Sequence, residues 1–407
     1  MASLKRREFL QAGALALGGS LMTSRLAFAG IGDGGDSRVV FVIMRGALDG
    51  LAAVPPYGDS DYAALRRELT VGVPGAADGA LPLDGFFGLH PHLGFLRDTY
   101  SAGELIVFHA VASPYRERSH FDGQDVLENG SVHPHALQTG WLNRALASLQ
   151  AGHAGPKELG VVLGQNVPLL MRGPASVTSW SPSKLATLDD DTLQRVTDLY
   201  AADPLLSKRL ADALAADAIA AGSDSTMQGT AVAAKPARYA EIVHAAAGFL
   251  RRDDGPRVAV FDTTGWDTHA NEGGAEGSLA ARLTALDDGL RMLKEGLGPV
   301  WSHTAVLLAT EFGRTVATNG TRGTDHGTAT AAFLVGGAVK GGRVIADWPG
   351  LSARALYEGR DLKPTLDLRS VLKGVLAEHM RVSNGALEDW VFPESTKATP
   401  IQGLMRA

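Results

Sequence analysis

The chain has 407 residues, of which 45% are hydrophobic, a formal net charge of -6 and no cysteine. The missing cysteine excludes disulfides, thiolate catalysis and cysteine-ligated zinc, so any metal must sit on His, Asp and Glu. The acidic balance argues against a nucleic-acid or anionic-membrane binder, and handling an anionic substrate would need local positive charge from arginines or metal ions.

The first element is a leader. Lys5, Arg6 and Arg7 are followed by Glu8, Phe9 and Leu10, then by an uncharged Gly- and Ala-rich stretch over 12–22. Ala27 and Ala29 put small residues at both positions that flank a signal-peptidase cut. This is the layout of a cleavable secretory signal over 1–29, and the arginine pair makes it the twin-arginine type. It implies the twin-arginine translocase as a partner during export, and a periplasmic or extracellular destination. The apolar run is far shorter than the roughly 20 residues that span a bilayer, so no stable membrane anchor is expected. Residues 30–407 read as one domain.

Residues 38–44 form a nearly unbroken apolar run. It reads as a strand buried on both faces, the kind found in parallel sheets. Residues 105–111, 257–261, 305–309 and 332–335 read the same way. Helical spacing lies between them, as at Leu279, Leu283, Leu286, Leu290 and Leu293. The alternation predicts an α/β fold with a mainly parallel central sheet flanked by helices. The region near 187–250 is rich in Ala, Asp, Leu and Ser and reads as a helical insertion, positioned to cap a site.

In open α/β sheets ligands bind at the carboxyl ends of strands, so the residues that follow each strand matter. After the first comes Asp49, in a Gly-flanked loop; a turn aspartate holding its own backbone is the plain alternative to a ligand. After the second come Arg116, Arg118, Ser119 and His120, ahead of a short helix ending at Gly130. Ser119 is either an N-cap or a nucleophile in the helix's positive field, with the arginines placed for an anion. After the third come Asp262, Asp267, His269 and Glu272. Asp267-x-His269 suits zinc, manganese or iron, and a polar loop is the bland alternative. After the fourth come Glu311 and Arg314, then Asp325 and His326 just before the fifth strand.

Several short motifs occur here in one order: Arg-Gly-x-x-Asp-Gly-Leu at 45–51, Arg-Ser-His-Phe-Asp at 118–122 and Gly-Trp-Leu-Asn-Arg at 140–144. Trp-Asp-Thr-His at 266–269, Glu-Phe-Gly-Arg-Thr at 311–315 and Gly-Thr-Asp-His-Gly at 323–327 follow. The set resembles the secreted bacterial family of unknown function numbered fifteen-oh-one, grouped with the alkaline phosphatase and sulfatase superfamily. The resemblance runs over nearly all of the chain after the leader. It implies an alkaline-phosphatase-like sheet and a metal-dependent hydrolase of phosphate or, second, sulfate esters. Asp49 then resembles the first-strand metal ligand, Ser119 the nucleophile, and Asp267 with His269 one metal centre. Glu311 stands where many superfamily members place an Asp-His pair, and His326 resembles a late histidine before a strand.

Two departures bear on this. Phe312 follows Glu311 where many superfamily members have histidine, which puts a second metal centre in doubt. Without cysteine the usual formylglycine of sulfatases cannot form. The expected cofactor is therefore one or two divalent ions (zinc, manganese, iron or calcium), on Asp49, Asp267, His269, Glu311, Asp325 and His326. Ser119 would attack, Arg118 or Arg314 would stabilise transition-state charge, and His120 would serve as acid or ligand. The expected substrate is a small anionic ester, with no nucleic acid. A competing expectation is an inactive exported binding or assembly protein on the same fold.

Overall fold

The computed structural model describes residues 36–150, 159–182, 190–201, 203–221 and 234–406. The leader lies outside the described residues. In chain order the main elements begin with β1 (Arg38–Arg45), α1 (Gly50–Ala53), α2 (Tyr62–Arg66) and α3 (Gly94–Ser101). Next come β2 (Leu105–Ala112), α4 (His120–Asn129), α5 (Trp141–Gln150), β3 (Gly160–Leu163) and β4 (Val177–Trp180). Then follow α6 (Asp190–Tyr200), α7 (Pro204–Ala221), α8 (Ala234–Leu250), β5 (Val258–Thr264) and α9 (Ser278–Leu297). The last are β6 (Thr304–Ala309), β7 (Thr330–Val335), β8 (Arg343–Ile345), β9 (Leu366–Asp367) and α10 (Leu368–Glu378).

The nine strands form one sheet in the order β8-β2-β7-β6-β1-β5-β3-β4, with β9 paired to β2. β1 is parallel to β5 and β6 on its two sides. It is apolar throughout because it is buried on both faces. Val40, Val42 and Met44 enter one core, and Val39, Phe41 and Ile43 enter the other. The predicted mainly parallel sheet is present, with one reversal: β7 runs antiparallel to both β2 and β6. A parallel return from β6 would need a crossover along the whole sheet. The antiparallel one lets residues 310–329 begin and end at the same sheet edge, the carboxyl end of β1, β2, β5 and β6.

The helices of the 187–250 region do not cover that edge. α8 is part of the sheet's own helical layer, with Val243, Ala246, Phe249 and Leu250 in the core. α7 packs on α8 and on β4, the outermost strand. The expected cap is thus a lateral helical pair, and the strand order sets it away from the strands that carry the motifs.

The Gly-Trp-Leu-Asn-Arg motif holds the fold together. The Trp141 indole donates to Leu127 O at 2.9 Å, and the Asn143 amide donates to Met171 O and Ala175 O at 2.8 and 2.9 Å. Arg144 is 2% exposed and donates to the carbonyls of Trp390, Asn129 and Val391 at 2.8, 2.6 and 2.6 Å, and to that of Thr139. Burial pulls its guanidinium down to about 10, so it stays charged at neutral pH. Arg144→Met is expected to leave these carbonyls unpaired and to destabilise the domain by about 3 kcal/mol, read from the urea midpoint.

His109, inside β2, is fully buried. Its Nε2–H donates to Val54 O at 3.0 Å, and its Nδ1 accepts from Ala110 N at 2.8 Å. Burial depresses its pKa to about 4, although the bond to Val54 O works the other way. The unfolded chain takes up this proton near pH 6.5, and the folded one only near 4. The stabilisation is therefore complete above 6.5 and is lost as pH falls toward 4, the full loss amounting to about 3 kcal/mol. Urea midpoints at pH 7 and pH 5 should differ accordingly, and His109→Leu should flatten that dependence.

Candidate metal centre

Four side chains from a helix start and two loops converge beyond the carboxyl ends of the strands. His120 comes from the first turn of α4, Asp267 and His269 from the loop after β5, and His326 from the end of the loop before β7. His326 Nε2 lies 2.9 Å from His120 Nε2 and 3.0 Å from His269 Nε2. Asp267 Oδ1 lies 3.2 Å from His326 Nε2 and 3.0 Å from His269 Nε2, and its Oδ2 is 3.4 Å from His120 Nε2. Among the described residues, His120, Asp267 and His326 are the group whose ligand atoms all fall within 4.8 Å of one another.

The far side of each ring fixes its tautomer. His120 Nδ1–H donates to Glu311 Oε1 at 2.8 Å, and His326 Nδ1–H donates to Arg118 O at 2.9 Å. His269 Nδ1 faces Asp325 Oδ1 at 3.3 Å. With each Nδ1 proton committed to an oxygen, all three neutral rings turn an Nε2 lone pair inward. Around His326 Nε2, two further imidazole nitrogens and a carboxylate oxygen lie within 3.2 Å, and these lone pairs repel it unless a cation lies between them. This donor set, with oxygen acceptors behind each imidazole, fits a divalent ion and its outer shell. Among the described residues one such convergence is present.

Local sequence explains the placement. Trp266 is buried and its indole donates to Thr263 Oγ1 at 2.9 Å, which anchors the loop and leaves Asp267 at the surface. Gly46, at φ 120°, donates its N–H to Glu311 Oε1 at 2.9 Å; a Cβ there would lie 2.7 Å from Asp267 N. A side chain at 46 would therefore push the β1 loop off the Asp267 loop. Residues 310–329 are pinched shut, with Arg314 bridged directly to His326 and Gly327 N bonded to Gly313 O at 2.8 Å. The Asp267–Glu272 loop is laced to the same segment by Asn271 N to Thr321 O and Glu272 N to Arg322 O.

Several expected roles are corrected by these contacts. Glu311 is fully buried and accepts from His120, Gly46 and Gln124 on Oε1 and from Thr310 Oγ1 on Oε2. It orients His120 and is not placed as a ligand. Burial opposes its charge, but these hydrogen bonds, His120's foremost, hold it below the usual carboxylate range. The same bond raises the His120 pKa, while burial and the neighbouring His120 lower that of His326. Asp325 likewise backs His269 and is held by Asn319 at 3.1 Å. Asp49 is not brought to the cluster. Its carboxylate caps α1, accepting from Leu51 N and Ala52 N, and pairs with buried Arg66. The turn reading of that aspartate describes it.

The arginines are also committed. Arg118 pairs through Nε with Asp361 at 2.8 Å and through Nη2 with Glu358 at 2.5 Å. Its φ of 61° turns its carbonyl to His326, so its backbone serves the centre and its side chain does not. Arg314 is buried and donates to Asp267 Oδ1 at 2.6 Å, helping to keep that carboxyl charged against its burial. Ser119 is the N-cap of α4, directly before His120, and its hydroxyl makes no capping bond to the helix. Phe312 packs beside the His120 and His326 rings at 5.0 and 5.2 Å between centroids, an apolar wall under the centre.

Gln124, Asn319 and Arg360 belong to the site's surroundings and carried no motif, while Thr324 lay in the Gly-Thr-Asp-His-Gly motif without being singled out. Gln124 had a signal, because it lies one helical turn after His120 and so shares its face. Arg360, which donates to His326 O and to Asp361, had none.

A model of the family described as protein of unknown function (DUF1501) matches residues 108–391. A search of curated proteins finds no match. Among solved structures the chain is similar to Ps i-CgsB, with TM-score 0.41, 12% identity, and coverage of 90% of this chain and 77% of that one. It is also similar to the phosphonate monoester hydrolase of Agrobacterium radiobacter, with TM-score 0.35, 10% identity and coverage of 84% and 74%. A third is the C-terminal periplasmic domain of EcEptC from Escherichia coli in complex with Zn, with TM-score 0.29, 12% identity and coverage of 74% and 73%. Likenesses this loose carry nothing about the residues of this centre.

Proposed function

The chain belongs to the DUF1501 family, and we propose that it is an exported hydrolase of phosphate esters, with sulfate esters second, that uses one divalent cation. His120, His269, His326 and Asp267 would hold the cation. The observation that carries this reading is the convergence of three imidazole Nε2 atoms and one carboxylate, each ring fixed from behind by an oxygen. When bound, the cation supplies charge that neutralises the oxygens of a transferring group and acidifies water.

The chain's own groups supply the rest. Ser119 sits at the positive end of α4 next to His120, where an anionic oxygen is favoured, and is the proposed nucleophile. Arg314 keeps Asp267 ionised and aimed at the rings. Glu311 and Asp325 hold the His120 and His269 tautomers. Arg360, half exposed beside His326 and paired through Nε with Asp361, would have only its remaining N–H groups to offer a substrate oxygen. Export rests on the leader. Among the described residues no helix is long and apolar enough to cross a membrane.

One observation favours the second reading, an exported binding protein. Arg118 and Arg314, expected to stabilise a transition state, are both tied to carboxylates. Metal analysis of the purified protein with aryl phosphate and aryl sulfate assays separates the two. Stoichiometric metal and turnover lost in Ser119→Ala supports the hydrolase. Stoichiometric metal with no turnover on either ester counts against the hydrolase, and a folded, inert protein that takes up no divalent metal refutes it and leaves the binding protein.

A further inference from the structure

Behind the centre lies a second, fully buried group of charges. Asp49, Arg66 and Glu272 are 1%, 0% and 0% exposed. One nitrogen, Arg66 Nη2, pairs with Asp49 Oδ2 and lies 3.6 Å from Glu272 Oε1. Two acids thus share one guanidinium in the protein interior. Glu272 Oε2 accepts from Thr324 Oγ1 at 2.7 Å, but Glu272 Oε1 has no partner if it is an acceptor. A bare carboxylate oxygen facing a second carboxylate, away from water, is costly on both counts. A proton on Oε1, donated to Asp49, removes both costs at once.

We propose that Glu272 is a neutral carboxylic acid at physiological pH, hydrogen-bonded to Asp49, and that it positions Arg314 against Asp267 through Thr324. Thr324 is the link. Its hydroxyl donates to Glu272 Oε2 and accepts from Arg314 Nε at 3.0 Å. Arg314 then reaches Asp267 Oδ1 at 2.6 Å. Burial first, and Asp49 second, raise the Glu272 pKa well above the carboxylate range, while Arg66 holds Asp49 ionised against its own burial. The groups that face Glu272 are Asp49 from the α1 cap, Arg66 and Tyr62 from α2, and Thr324 from the loop before β7. With Glu272 neutral, Asp49 and Arg66 balance each other. The charge of Arg314 is then left for Asp267 alone. An ionised Glu272 would compete for that arginine and loosen it from the centre.

The positioning half rests on the proposed cation site; the proton does not. The test uses the full chain at pH 7. Infrared difference spectra should show a protonated-carboxyl C=O stretch that Glu272→Gln removes. Because an amide can donate as the acid does, Glu272→Gln should keep its fold and bind Mn²⁺ within about 3-fold of the parent. Thr324→Val, which keeps shape and loses the link, should weaken Mn²⁺ by about 10-fold with its circular dichroism unchanged. No such stretch in the parent overturns the neutral acid. A Thr324→Val protein with parental Mn²⁺ affinity overturns the positioning role. A parent that binds no Mn²⁺, Zn²⁺ or Fe²⁺ overturns the cation site and the positioning role with it, while the stretch still decides the proton.

Discussion

His326→Ala is expected to abolish stoichiometric binding of a divalent cation, and any ester turnover with it. His326 is the middle ring: its Nε2 is the atom within 3.2 Å of His120, His269 and Asp267 alike. Removing it leaves two imidazoles and a carboxylate without the donor that lies between them. The affinity loss should exceed the 10–100-fold typical of an outer-shell change, and reach about 1,000-fold. The fold should persist, because His326 is about a quarter exposed and the loop around it is held by the Arg314 bridge and the Thr324 bonds. Isothermal titration with Zn²⁺ and Mn²⁺, beside a circular dichroism spectrum, reads both parts. Unchanged cation affinity in the folded variant would refute the centre.

Glu311→Gln should have the second-largest effect although Glu311 is not placed as a ligand. Oε1 accepts three donors: His120 Nδ1, Gly46 N and Gln124 Nε2. An amide that keeps its oxygen there puts an NH₂ against Thr310 Oγ1; turned the other way, it sets hydrogens against three donors. It also loses the negative charge that holds the proton on His120 Nδ1 and makes Nε2 the better donor. Cation affinity should fall about 30-fold, inside the outer-shell range, with about 2 kcal/mol of lost stability. Phe312→His, a change to a wall residue, should not reproduce this loss.

Much of the fold was legible because β1, β2, β5, β6 and β7 are buried on both faces and so carry near-continuous apolar runs. The direction of β7 was not legible, since an apolar run has no sign and only the length of the 310–329 loop hints at a return. The site was half legible. Asp267, His269 and His326 sit in dense polar loops beside strands, and His120 was noted as acid or ligand. The sequence could not show that Glu311 and Asp325 stand one shell further out. Carboxylate and imidazole neighbours read alike until distances separate ligand from support. Asp49 shows the opposite lesson. Its local signal, a turn aspartate holding its own backbone, matches the bonds it makes to Leu51 N and Ala52 N, while the family resemblance pointed to a ligand. Arg66 and Glu272, which complete its surroundings, come from segments with no motif around Arg66 at all.

The ligands of the centre lie far apart along the chain. His120 and His326, 2.9 Å apart in space, are separated by 206 positions. A cation held there closes a very long loop and joins the β2 side of the sheet to the β6–β7 side. It would bind only the folded chain, so its free concentration would act directly on global stability, by about 4 kcal/mol at a thousand times its dissociation constant. Chelation should therefore lower the melting temperature of the whole domain as one transition, and re-addition should restore it in proportion to the logarithm of added metal. If the proposed export and cation site both hold, the protein's working lifetime becomes a reading of metal supply in its surroundings.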